Sequence, residues 1–259
     1  MDLPDIAPGT VWLVGAGPGD PGLITAYAAH GLAHAEVIVY DALVDSQILS
    51  LANPDAEMVF AGKRGGRASA NQDDISQRLV ALAQAGRRVL RIKGGDPCVF
   101  GRGGEEALAL AQAGIPFRLV PGITVGIGGL AYAGIPATHR DTNAAITFIT
   151  GHTAGGDVPK NLDWTALSKG SPTLVLYMAL GHLECIADLL VTAGRNPQES
   201  VAIITNATMP SQRTLFTTLE AAAGAAKAAA MMPPALVVIG ENVAFHDRLE
   251  WFQAIGDSD

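Results

Sequence analysis

The sequence predicts two α/β domains, a parallel sheet with helices on both faces in the first and a mixed sheet in the second. Three observations predict this. Short apolar runs alternate with amphipathic stretches from the amino terminus to Pro121, the pattern of strands joined by crossover helices. Glycine- and proline-rich loops follow several of those runs, where ligands bind in open α/β sheets. After Pro121 the texture changes to a small-residue segment and then to a second series of strands.

Taken in order, strands are expected at 11–15, 36–40, 57–61, 88–93 and 117–120, with helices near 23–33, 45–52, 71–85 and 103–113. The segment 121–136 (PGITVGIGGLAYAGIP), closed by Pro136, reads as a turn and a helix leading to the second domain. The expected division is 1–136 and 137–259. Further strands are expected near 145–150, 173–178, 200–205, 213–218 and 235–240, with helices near 181–193 and 219–230. The threonine-bearing stretch 212–219 reads as an antiparallel strand, which makes the second sheet mixed.

Composition bounds the function. The 259 residues are 49% hydrophobic and 16% charged, as in a globular chain with a large core. No apolar run reaches the roughly 18 residues of a membrane span. Residues 1–9 carry two aspartates, no Lys or Arg and no apolar core, so they do not read as a signal peptide. Cys98 and Cys185 stand far apart, without metal spacing or a disulfide framework, and a reducing cytoplasm is the expected location. A net charge of −8 argues against nucleic acid as a partner.

The charge is unevenly placed. Residues 1–62 hold eight acids and no Lys or Arg, whereas 63–102 hold nine of the 17 basic groups against three acids. Most single arginines there are expected on the solvated surface. Lys63, Arg64 and Arg67 differ, because they sit among Gly62, Gly65 and Gly66; a basic glycine loop at a strand end suits a small polyanion.

Two loops carry the chemistry. Residues 94–104 (GGDPCVFGRGG) follow the apolar run 89–92 and have far more glycine than a connection needs. Residues 15–22 (GAGPGDPG) follow VWLV and resemble a dinucleotide fingerprint, with Asp41 as the acid at the next strand end. That fingerprint fails, because Asp20 takes the third glycine position and prolines occupy the start of the phosphate-binding helix.

GAGPGDPGLIT, VIVYDALV, GKRGG, RIKGGDPCVFGRGGEE, VPGITVGIGGLAYAGIPATHR, TFITGH and PPALVVIGE follow one another across nearly the whole chain. In this the sequence resembles the tetrapyrrole methylases, which use S-adenosylmethionine, and among them those that methylate uroporphyrinogen III. The match begins near residue 11, so the resemblance implies the stand-alone enzyme rather than a fusion with an amino-terminal dehydrogenase–chelatase. It implies two α/β domains with the cofactor in the cleft between them. The implied activity is C-methylation of uroporphyrinogen III at carbons 2 and 7, through precorrin-1 to precorrin-2, for siroheme or cobalamin. A homodimer is implied, with no metal, nucleic acid or membrane partner.

By the same resemblance Pro18, Gly94, Gly95, Asp96, Thr124, Val125, Met178, Ala207 and Ala235 line the cofactor site. Asp41 and Lys63 are the candidate catalytic residues. Methyl transfer leaves a cationic ring that must lose a proton, and Asp41 suits either stabilising the cation or accepting the proton. Its competing role is to cap the helix near 45–52. The substrate's eight carboxylates call for Lys63 and Arg64, followed by Arg67, Arg102 and Arg140, although Arg102 and Arg140 equally suit ion pairs. His139 reads as a hydrogen-bonded linker residue, and His152 as a strand-end residue with no triad around it. Met178 on its own would pass as core. Cys98 stands where the family commonly has Phe, and Val125 where it has Ala or Ser. Other methylases of the fold, acting on later precorrins, diphthine or ribosomal RNA, are the alternatives, together with a non-catalytic cofactor or tetrapyrrole binder.

Overall fold

The computed structural model describes residues 2–62, 72–153 and 155–252. Lys63, Arg64 and Arg67 lie outside them. The chain divides into two compact units, Met1–Thr124 and Val125–Asp259.

In the first unit, β1 (Val11–Gly15), β2 (Val37–Tyr40), β3 (Glu57–Phe60), β4 (Val89–Lys93) and β5 (Phe117–Val120) form a sheet of order β3-β2-β4-β1-β5. Every pairing is parallel. The two central strands are buried on both faces, so VWLVG and VLRIK lack the alternation of a half-exposed strand. Helices α1 (Ala26–His34) and α2 (Ser46–Leu49) cover one face through Ala28, Leu32 and Ile48, which meet Trp12, Ile38, Leu90 and Ile92. Helices α3 (Gln72–Gln84) and α4 (Gly103–Gln112) cover the other, where Leu79, Ala83, Ala107 and Leu110 meet Leu13, Val39 and Val89.

The expected helix at 45–52 proves to be one four-residue turn. Asp45, not Asp41, caps it, accepting the Gln47 N–H at 2.8 Å.

The second unit opens with α5 (Val125–Tyr132). Strands β6 (Thr147–Thr150), β7 (Leu174–Tyr177), β8 (Ser200–Thr205), β9 (Arg213–Thr218) and β10 (Ala235–Ile239) form a sheet of order β6-β7-β10-β8-β9. Only the β6–β7 pairing is parallel, so the sheet is mixed as expected. Helices α6 (Trp164–Gly170), α7 (Leu183–Thr192) and α8 (Ala222–Ala228) cover one face, with Ile186, Leu190 and Ala226 against Leu174, Val201, Val237 and Ile239. A short helix α9 (His246–Leu249) follows.

The division falls at 124/125 rather than at 136/137. The cause is α5, whose buried Gly126, Gly128 and Gly129 allow close approach to the second sheet. The Gly126 N–H donates to the Tyr177 hydroxyl at 2.8 Å, and a Cβ on Gly129 would stand 3.0 Å from that of Ala207. Pro136 thus ends a segment that already belongs to the second unit.

Candidate active site

In the first unit the loops after β1, β4 and β5 meet backbone to backbone. A Cβ on Gly15 would lie 2.5 Å from Gly122 Cα and 2.5 Å from the Gly95 carbonyl oxygen, so no side chain fits between these loops. Gly17 and Gly95 exchange two hydrogen bonds, of 3.1 and 2.7 Å, as a one-residue antiparallel bridge. Gly95 has φ +67°, a conformation that glycine adopts without steric cost. Pro18 follows directly on this bridge, and Thr124 Cα lies 3.9 Å from where a Gly95 Cβ would be.

Asp96 fastens the same loop. Its Oδ1 accepts the Cys98 N–H at 2.8 Å and its Oδ2 the Gly122 N–H at 3.0 Å. Its carboxylate therefore shapes the loop. Burial, aided by the Asp96 charge, raises the Cys98 thiol pKa.

Asp41 sits at the carboxyl end of β2, half-buried, where its Oδ1 accepts the Leu43 N–H at 3.1 Å. Leu43 Cβ lies 2.7 Å from where a Gly94 Cβ would be, so the Asp41 loop adjoins the Gly94 loop. The other Asp41 oxygen lies 3.7 Å from the guanidinium of Arg91, which is 2% exposed. Arg91 Nε donates to Glu106 Oε1 at 3.2 Å, and Lys93 Nζ donates to the same oxygen at 3.2 Å. Glu106 is fully buried in the first turn of α4. Asp41, Arg91, Glu106 and Lys93 thus form a continuous chain of charges beneath the loops. Burial, reinforced by Arg91, lowers the Lys93 pKa, while Glu106 opposes the shift.

This chain corrects the expectation of solvated arginines across 63–102. Arg91 and Lys93 stand at alternate positions of a buried strand and so point to one face. That spacing inside an otherwise apolar run, followed by an acid in the next helix, was the available signal. Sequence reasoning missed Arg91, Lys93 and Glu106 as site residues. Arg102 takes a left-handed conformation at the start of α4 and makes a two-pronged pair with Glu105, at 3.0 and 2.6 Å.

In the second unit Met178, Ala207 and Ala235 collect at one end of the mixed sheet. Met178 follows β7, Ala207 follows β8, and Ala235 begins the antiparallel β10, opposite Thr205. Val125 Cγ2 and Ala207 Cβ both approach Gly129, at 3.1 and 3.0 Å from its missing Cβ. Three residues here hold left-handed backbone without being glycine: Met178 (φ +54°), Asn206 (+48°) and Thr208 (+68°). Such residues are uncommon and cluster at ligand sites. Met178 is 46% exposed although apolar. Arg140 is exposed on the loop after α5, apart from that sheet end in sequence, and His139 is held by Asn143 and the Phe245 ring.

The two units have the fold of methyltransferases that act on tetrapyrroles. A solved uroporphyrin-III C-methyltransferase from Thermus thermophilus, complexed with S-adenosylhomocysteine, superposes with a TM-score of 0.79 at 41% identity, covering 91% of this chain and 99% of that one. A cobalt precorrin-4 methyltransferase, at 24% identity and a TM-score of 0.80, shares the fold. The chain belongs to the tetrapyrrole (corrin/porphyrin) methylases, whose family model matches residues 10–223. A uroporphyrinogen-III C-methyltransferase from Sinorhizobium sp is 56% identical over 253 residues, 98% of this chain and 90% of the relative. A siroheme synthase from Neisseria meningitidis serogroup B is 47% identical over 252 residues, and the chain spans about half (51%) of its length.

Proposed function

We propose that this protein transfers methyl groups from S-adenosylmethionine to carbons 2 and 7 of uroporphyrinogen III, giving precorrin-2 through precorrin-1 for siroheme or cobalamin synthesis. The observation that carries the reading is the 56% identity to a uroporphyrinogen-III C-methyltransferase along almost the whole of both chains. The donor supplies a methyl group already activated on a sulfonium sulfur, so the protein's main task is alignment and exclusion of water.

The residues fit that donor. It carries no phosphate, and the edges described above offer backbone amides, carbonyls and small side chains rather than a phosphate cradle. Pro18, Gly94, Gly95, Thr124, Val125, Met178, Ala207 and Ala235 would line the donor, with Asp96 holding its loop in shape. An exposed Met178 on left-handed backbone suits a residue that a ligand covers.

Attack by a pyrrole α-carbon breaks the sulfur–methyl bond, forms a carbon–methyl bond and leaves a cationic ring. Asp41 would stabilise that cation or accept the departing proton, with the Arg91 guanidinium 3.7 Å from its other oxygen. Lys63 would assist it, and Lys63, Arg64, Arg67, Arg102 and Arg140 would meet the substrate carboxylates. Arg102 would first have to give up Glu105, which makes it the weakest of the five. No helix among the described residues is long and apolar enough to cross a membrane. A homodimer in the cytoplasm completes the reading.

Anaerobic incubation with uroporphyrinogen III and labelled S-adenosylmethionine, followed by mass analysis, tests this. Two added methyl groups are expected, and none with bound donor would sink the substrate assignment. Asp41→Ala should lower turnover by about a hundredfold or more while donor affinity changes little.

A further inference from the structure

We propose that Asp5, His30 and His34 form a binding site for a divalent transition-metal ion of the zinc class. The site lies at the opposite end of the first sheet from the glycine loops. Helix α1 runs back from the carboxyl end of β1 to the amino end of β2, so its last turn stands among the strand beginnings. Asp5 precedes β1 there, next to Ile6, which is fully buried in the same core as α1.

Three independent observations define the site. First, one donor atom from each of the three residues lies within 4.8 Å of the other two. His30 and His34 are four apart on a helix, hence on one face, with ring centroids 4.1 Å apart and stacked. Zinc bonds of about 2.0–2.1 Å in a tetrahedral arrangement put neighbouring ligands roughly 3.3 Å apart. His30 Nε2 and Asp5 Oδ1 already stand at 3.3 Å, so closure needs only that the third donor, within 4.8 Å of both, draw nearer.

Second, His34 Nδ1 lies 2.8 Å from the His30 carbonyl oxygen. A carbonyl can only accept, so this nitrogen carries the proton, and in the neutral ring Nε2 keeps its lone pair. That is the arrangement by which a backbone carbonyl orients a ligating imidazole.

Third, His30 Nε2 is buried and makes no hydrogen bond; its distance to Asp5 suits an ion pair but the alignment is poor. A ring nitrogen left so is costly, and a metal ion would satisfy it. Two imidazoles with one carboxylate favour zinc, nickel or copper over magnesium and calcium. The fourth position would fall to water. The ion would fasten residues before β1 to α1 and takes no part in methyl transfer.

The test is calorimetric titration of the untagged, chelator-treated protein with zinc chloride at neutral pH, beside His34→Gln and Asp5→Asn. Both side chains are exposed, so both variants are expected to fold with the unliganded melting temperature of the parent. The parent should bind one zinc ion, and each variant should bind it at least about tenfold more weakly. Excess zinc should raise the parent's Tm by about 3 °C or more, and magnesium should not. Absence of zinc uptake by the parent overturns the proposal. So does uptake that both variants retain undiminished, as would follow from binding at Cys98 or Cys185.

Discussion

The two units place their candidate ligand edges on backbones of opposite kinds. In the first, glycine stands where the loops after β1, β4 and β5 touch: Gly15, Gly95 and Gly122 meet with no room for a Cβ, and left-handed Phe100 and Arg102 come only farther along the loop. In the second, Met178, Asn206 and Thr208 hold left-handed conformations that cost them free energy. One edge is made by removing side chains and the other by straining residues that keep theirs. The first solution yields closeness, the second aims particular side chains.

The contrast can be broken by substitution. The largest effect is expected at Arg91→Met, which strips the buried Glu106 of a cationic partner and should cost about 3–5 kcal/mol in urea denaturation, or prevent folding. A cost near zero would mean that the charge chain contributes little to the first unit. Gly122→Ala comes next, at about 3 kcal/mol, because the new methyl meets backbone that cannot rotate away. Met178→Gly should go the other way and stabilise by up to about 1 kcal/mol, since strain is relieved at a half-exposed side chain. Destabilisation there would show that the methionine side chain matters more than its backbone.

The smallest expected effect is one of pH. Glu36 accepts the Arg88 N–H at 2.9 Å and the Arg88 guanidinium at 2.8 Å, and the backbone bond is the main reason its pKa lies below 4.5. A lowered carboxyl pKa stabilises the fold above 4.5, and that contribution is lost as pH falls through the folded value. Solvent screening keeps it well under about 1 kcal/mol. Glu36→Gln should therefore lower the urea midpoint slightly at pH 7 and not at pH 3.

The same contrast explains what could be read from the sequence. Glycine is visible in a sequence, so the loops after β1, β4 and β5 announced themselves and both sheets were laid out nearly strand for strand. Left-handed backbone at Met178, Asn206 and Thr208 has no letter of its own. Met178, Ala207 and Ala235 came from family resemblance alone. The buried chain from Asp41 to Lys93 was hidden because arginine and lysine usually mean surface. Helix α6 was missed because WTALSKG is only seven residues long and turns just Trp164 and Leu167, both partly exposed, to the core. The compact units divide twelve residues before the expected boundary, because proline looks like an ending in a sequence whereas the glycines of α5 join it to the second sheet.

The paired hydrogen bonds between Gly17 and Gly95 have a consequence for recognition. Two loops tied in this way need little further ordering when a small molecule settles against them. Association would then forfeit mostly the molecule's own freedom, and its heat-capacity change would match the apolar area covered, with no added contribution from coupled folding.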